Sequence, residues 1–172
     1  MNDNKKNITQ ESSYDLRYTI VNDELCVRKW LYDLSVRKWY PPSSELDVDV
    51  FVRNWIGFFK YNASLTAVYN NEVVGVATIF LMPYKKVAHT CMMYMAVNPN
   101  YYHIGIGASL LRNIKNLAKM RFSLEFMDVE IWEGAPIMKL LKENGFKEIA
   151  KQDNFVKLDD GFRARYVMEV EL

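Results

Sequence analysis

The chain is predicted to be α/β (α+β): a mixed sheet of about seven strands with about four helices on its faces. Two observations carry this. Short β-rich runs alternate with segments of helical period in the order β-α-α-β-β-β-α-β-α-β-β. Residues 92–119 (MMYMAVNPNYYHIGIGASLLRNIKNLAK) then give a buried strand, a turn, a glycine-bearing loop and an amphipathic helix in immediate succession. With 172 residues, half apolar and a quarter charged, the chain suits one domain with a substantial core. The expectation is a loose polar tail over residues 1–13 and a single domain over 14–172.

Taken in order, DLRYTIV (15–21) is rich in β-formers and reads as a first strand. Asn22 or Asp23 caps a helix whose apolar positions include Leu25, Cys26, Trp30, Leu31 and Leu34, and which Pro41-Pro42 stops. The tetrapeptide VRKW stands at 27–30 and again at 36–39. Nine residues of one continuous helix would put the copies on nearly opposite faces, and two copies make no repeat architecture. Ser44-Glu45-Leu46-Asp47 starts a second helix, with Val50, Phe51, Trp55, Phe58 and Phe59 on its apolar side. Core packing accounts for most of those rings, and the helix pair could also cover a substrate cleft.

Residues 64–69 and 73–82 around Asn70-Asn71 read as a hairpin. A third strand runs from about His89 to Val97 and ends at Asn98-Pro99-Asn100. After the helix come a strand at 124–132, a short helix at 136–143 ended by Asn144-Gly145, and β-rich segments at 155–158 and 165–171.

Composition narrows the function. A net charge of +1 leaves no broad electrostatic footprint for nucleic acid. The two cysteines, Cys26 and Cys91, make neither a disulfide framework nor a metal site, which fits a reduced, cytoplasmic compartment. The polar N-terminus lacks an apolar signal region, and the longest apolar run is too short to span a bilayer, so no membrane role is expected. Oligomeric state stays open, a homodimer being one option.

The loop Tyr102-His103-Ile104-Gly105-Ile106-Gly107 is the most informative stretch. Two glycines flanking one residue let backbone curl closely around a ligand. N–H groups of the loop and of the first helical turn would converge on an anion, phosphate or pyrophosphate, with the helix dipole adding about half a positive charge. The alternative is a tight strand-to-helix turn, because neither the Lys-Ser/Thr of a nucleotide P-loop nor a third glycine follows.

With that loop in its strand–helix setting, the chain resembles the GCN5-related N-acetyltransferase (GNAT) superfamily over roughly residues 14 to 172. The family signature Gln/Arg-x-x-Gly-x-Gly/Ala falls on residues 102–107, preceded by AVNPNYY. A short helix ending in Gly-Phe, here KLLKENGF at 139–146, is a second shared feature. The resemblance implies a mostly antiparallel sheet in which the strand through Met95, Ala96 and Val97 splays from its neighbour and pairs with the amide arm of acetyl-CoA. It also implies that backbone from Ile104 to Ala108 cradles the pyrophosphate, with Tyr102, His103 and Ser109 close by. The activity implied is acetyl transfer from acetyl-CoA to an amine, with the Val97 N–H as candidate oxyanion donor.

Three departures qualify this. Tyr102 stands at the signature's Gln/Arg position. The tyrosine that many members use to protonate the leaving thiolate falls on Leu141. The glutamate base of histone-type members falls on Cys91. Candidate catalytic groups near the splay are Tyr94, as a proton donor, and Glu130, as a base; a structural tyrosine and a strand-face carboxylate are their bland alternatives. His103 suits phosphate contact, His89 is expected to be exposed, and Cys91 is expected to be an inert strand cysteine. The acceptor is unnamed by the sequence, with Trp30, Trp39, Trp55, Phe155 and residues 163–166 expected around it. A non-catalytic acyl-CoA-binding or sensing domain on the same fold is the alternative function.

Overall fold

In the strand TCMMYMAV (β4, Thr90–Val97) alternate side chains enter two different cores. Period-two alternation does this automatically when both faces of a strand are covered. The computed structural model describes residues 14–172, and the tail expected over 1–13 lies outside them. Around β4 stand β1 (Tyr14–Tyr18), α1 (Glu24–Tyr32), α2 (Leu34–Arg37), α3 (Glu45–Ile56), β2 (Ser64–Tyr69) and β3 (Glu72–Leu81) on the N-terminal side. On the C-terminal side are α4 (Ile106–Phe122), β5 (Phe126–Trp132), α5 (Ile137–Glu143), β6 (Lys147–Leu158) and β7 (Gly161–Glu171). The seven strands lie in the order β1-β2-β3-β4-β5-β7-β6. Every neighbouring pair is antiparallel except β4 with β5.

One face is covered by α4 and α5, where Met93, Leu110, Ile114, Met127 and Leu141 are fully buried. α4 comes close because residue 75 is glycine: a Cβ there would stand 2.7 Å from Leu110 Cδ1. The other face is covered over β3 and β4 by α1 and α3, through Val27, Leu31, Val52, Trp55, Val76 and Ala96.

The β2–β3 hairpin turns on Asn70 and Asn71, both with positive φ (49° and 64°), as a two-residue asparagine turn should. Ser44 caps α3 as expected: its hydroxyl accepts from the Asp47 N–H (3.1 Å), and the Asp47 carboxylate accepts from the Ser44 N–H (3.0 Å).

Three local expectations are corrected. The first helix is two, because Asp33 takes an extended conformation and its carboxylate accepts from the Ser35 N–H (2.8 Å), capping a new start. Val36 of the second helix shares a core with Val27, while Leu25 and Leu34, both expected on the apolar side, are exposed. In the next helix Val50 is exposed, and Phe58 and Phe59 lie in a 3-10 turn after it. Finally, β6 begins at Lys147, eight residues before the predicted segment. Its first nine residues are all solvent-exposed, so an edge strand there carries no apolar pattern to read.

A buried carboxylate fixes the start of α1 to the sheet. Asp23 is 2% exposed and accepts from Arg17 (2.7 and 2.8 Å), the Ile20 N–H (3.0 Å) and the Thr66 hydroxyl (2.8 Å). Burial alone would raise its pKa. The Arg17, Ile20 and Thr66 hydrogen bonds outweigh burial and hold it below the usual carboxylate value. The stability this gives is present above the unfolded-state value near 4 and is lost as pH falls through the lower folded-state value. Asp23→Ala should lower the unfolding free energy by about 2–3 kcal/mol in urea titration at pH 7. The gap between variant and wild type should narrow as the pH is taken below 4.

Candidate active site

The site begins where pairing between β4 and β5 stops. Their register runs through Thr90↔Phe126, Cys91↔Met127 and Met92↔Asp128 and goes no further. β4 stays paired with β3 to Val97, and β5 stays paired with β7 to Trp132. The two half-sheets therefore separate beyond Met92.

Backbone alternation tells which β4 groups face the gap. The Asn98 N–H donates to the Val74 carbonyl (2.8 Å), which by period two directs Ala96, Tyr94 and Met92 toward β3. The N–H and C=O groups of Met93, Met95 and Val97 consequently point toward β5, where no strand meets Met95 or Val97. One of these groups has a side-chain partner: the Tyr40 hydroxyl donates to the Met95 carbonyl at 2.7 Å.

A cavity of about 600 Å³ occupies the gap. Tyr94 and Met95 of β4, Glu130 and Trp132 of β5, Tyr40, and Leu140 of α5 are among its walls. Trp39 reaches across it, its ring edge lying 3.6 Å from where a Cβ on Gly134 would stand.

Beyond Val97 the chain makes a 3-10 turn, Pro99–Tyr101, and enters the glycine loop. His103 has φ 64° and Gly105 has φ 91°, both left-handed, and Gly105 is the N-cap of α4. The first helical bond is Ser109 N–H to the Gly105 carbonyl (3.0 Å), so the N–H groups of Ile106, Gly107 and Ala108 lack intrahelical acceptors. A Cβ on Gly107 would stand 3.3 Å from Leu140 Cδ2, so this glycine lets α4 pack against α5. Tyr102, His103, Gly105, Gly107 and Ala108 border the cavity, and Ile104 is exposed. The side chain of Ile106 is in the core, and Ser109 is buried with its carbonyl accepting from Asn113 (2.8 Å). What Ile106 offers a ligand is its backbone N–H, whereas the Ser109 N–H is already taken by the Gly105 carbonyl, so Ser109, expected close to the pyrophosphate, brings no free backbone donor.

This arrangement is a gap with a free strand edge, leading from a helix N-terminus to a walled cavity. Residues 29–146 match the acetyltransferase (GNAT) family. The chain belongs to that family. Solved structures of the same fold include YncA from Salmonella typhimurium with its cofactor acetyl-CoA. It is 18% identical, with TM-score 0.78, covering 92% of this chain and 94% of that one. Ribosomal-protein-alanine N-acetyltransferase from Brucella melitensis is also 18% identical, with TM-score 0.76 and coverage of 92% and 99%. A GCN5-related N-acetyltransferase from Kribbella flavida is 18% identical, with TM-score 0.78 and coverage of 93% and 98%. No curated protein is significantly similar in sequence.

Within this GNAT domain the candidate side chains sit as follows. Tyr94 borders the cavity from within an aromatic cluster, its ring 5.5 Å from Phe51, 5.7 Å from Trp55 and 5.0 Å from Phe80. Burial, and then the nearby Glu130, push its pKa up, so its phenol stays neutral. Glu130 faces the cavity with both oxygens accepting from Arg165 Nη1 (3.0 and 3.1 Å), while Nη2 donates to Gln152 (3.0 Å). Cys91 is fully buried, and burial pushes its thiol up to about 12, which removes it as a nucleophile. Leu141 is fully buried, and the positions of α5 that meet the cavity are Ile137, Lys139, Leu140 and Glu143. α5 thus brings no phenol to the site.

Of the aromatic residues expected near an acceptor, Trp30 and Trp55 belong to the core, at 7% and 1% exposure. Trp39 lines the cavity, and Phe155 is exposed beneath the Arg165 guanidinium, 4.0 Å from the ring centroid. Sequence reasoning missed Tyr40. It stands just before Pro41-Pro42, which was expected to stop the helix, but α2 already ends at Arg37 and Tyr40 lies in the turn that follows. Among the described residues no helix is long and apolar enough to cross a membrane.

Proposed function

We propose that the protein is an acetyl-CoA-dependent N-acetyltransferase in which an acceptor amine attacks the thioester directly. One observation carries the reading: a single open path joins the Gly105 cradle, the free edge at Met95 and Val97, and the cavity walled by Tyr94 and Glu130. The N–H groups of residues 106–108 hold the pyrophosphate, with His103 beside them. The backbone edge of Met95 and Val97 takes the amides of the pantetheine arm. An acetyl-CoA-bound neighbour of the same fold supports the choice of ligand.

The chemistry sets the demands on the other side chains. An alkylamine with pKa near 10.4 is mostly protonated at pH 7, which costs roughly 4–5 kcal/mol before it can attack. Glu130 is the candidate to receive that proton, directly or through a water. Arg165 holds its carboxylate in place. Asp128 and Glu169, paired in register on the same strand face as Glu130, make this approach attractive to a cation. The acceptor class favoured is therefore a protonated primary amine. A free N–H of the β4 edge on the far side of Val97 from the cradle, where the thioester end lies, is the candidate donor to the tetrahedral oxyanion. Tyr94 serves as a neutral hydrogen-bond donor in the wall.

Calorimetric titration should show CoA and acetyl-CoA binding to wild type and not to a folded Gly105→Glu variant, whose side chain and charge would occupy the cradle. With polyamines, small amines and peptide N-termini as acceptors, release of free CoA should reveal turnover, and Glu130→Gln should lower kcat/KM about 100-fold. CoA binding with no turnover across the panel would make the protein a non-catalytic acyl-CoA-binding domain instead.

A further inference from the structure

We infer that Tyr40 is the hydrogen-bond donor that stabilises the leaving thiolate of CoA, a role taken by a loop residue ahead of α3 because α5 brings no hydroxyl to the site. The inference rests on the acetyl-CoA reading above and adds a residue to it.

Position is the first argument. The anion cradle lies past Val97, so an arm held along the β4 edge enters there and places its thioester end toward Met95 and Met93. The Tyr40 hydroxyl stands at the Met95 carbonyl, 2.7 Å away, at that thioester end. It points at backbone that faces the gap, in a position a neighbouring strand would otherwise fill. The residue is also held there. Its ring stacks on Trp55 with centroids 5.9 Å apart and an interplanar angle of 29°, and it meets Phe51 at 6.3 Å. Trp55 is itself core, so the hydroxyl is delivered from a rigid base.

Other phenols at the cavity serve less well. The Tyr101 hydroxyl donates to a charged acceptor, the Glu72 carboxylate (2.8 Å), a stronger hold than the neutral Met95 carbonyl has on Tyr40, and Tyr94 lies on the β4 face with its ring among Phe51, Trp55 and Phe80. Burial, and then Tyr102, push the Tyr40 hydroxyl far above its ordinary value. A phenol that acidifies so reluctantly does not surrender its proton to a thiolate with an unperturbed pKa near 8.5. It donates a hydrogen bond and keeps the proton.

The step balances on that basis. The amine nitrogen bonds to the acetyl carbon, the carbon–sulfur bond breaks, and its electron pair leaves on sulfur as a thiolate, toward which the Tyr40 O–H turns from the neutral Met95 carbonyl. The proton lost by nitrogen passes to Glu130 or water, and solvent protonates the thiolate, giving the amide and CoA-SH.

The test needs no acceptor. The thiol pKa of CoA bound to the protein is read from thiolate absorbance against pH, with the desulfo-CoA complex subtracted. Tyr40→Phe keeps the stacked ring and loses the donor, and should raise that pKa by about one unit or more. CoA binding to this variant below the thiol pKa should change little. Fluorotyrosine at position 40, a more acidic donor in the same place, should lower it and decides the matter if the Phe variant is unstable. Glu130, Lys139, Glu143, His103, Tyr94 and Tyr102 also border the cavity, but they are common to all three proteins and cancel in the difference. Equal thiol pKa values in wild type and the variants would overturn the role of Tyr40. Failure of wild type to bind CoA would overturn the acetyl-CoA reading itself, and this inference with it.

Discussion

The structure depends on one interruption: β4 and β5 share three register positions and then part. Each strand remains fully paired on its other side, so each half-sheet keeps its own twist and the mismatch collects in the gap between them. Parting leaves backbone N–H and C=O groups of Met95 and Val97 without a strand partner inside the protein. Unpaired backbone in a partly buried cleft costs free energy comparable to a lost hydrogen bond, until something with amides of its own fills the place. A linear ligand carrying amide groups does that without any side chain being dedicated to it. On the proposed reading, Tyr102 at the signature's Gln/Arg position removes a side-chain contact and leaves the backbone geometry of the loop and edge in place.

The rest of the site is arranged around the two ends of the gap. At one end, glycine at 105 permits the left-handed turn that aims three free N–H groups outward. At the other end, the aromatic base of Trp55, Phe51 and Tyr94 carries the Tyr40 hydroxyl to the Met95 carbonyl, while Glu130 comes from the opposite bank under the hold of Arg165. The sheet is the frame, and each bank contributes different chemistry: β4 and the helices behind it bring neutral donors, and β5 with β7 bring carboxylates.

Much of this was legible in the residues. Strand, turn, glycine loop and helix at 92–119 could be read because apolar period and turn chemistry agree there, and the family resemblance fell on the same residues. The order of elements along the whole chain followed from the same signals. What the sequence concealed has physical causes. Asp33 splits a helix because a local cap competes with helical continuation, and a run of good periodicity does not show that. The first half of β6 is an edge strand with no buried face, so KEIAKQDN reads as loop. Tyr40 and the Arg165–Glu130 pair join residues 55 and 35 positions apart, a separation no local pattern reports. Trp30 and Trp55 were placed near an acceptor by the family resemblance, which puts the first two helices there, and proved to be core.

The most direct measurement of the central claim is residue-resolved amide hydrogen exchange with and without CoA. If the arm completes the β4 edge, the N–H groups of Met95 and Val97, together with those of residues 106–108, should become selectively protected, while Tyr94 and Ala96, already bonded to β3, change little. Protection confined to other parts of the chain, with Met95 and Val97 exchanging as fast as before, would contradict the account.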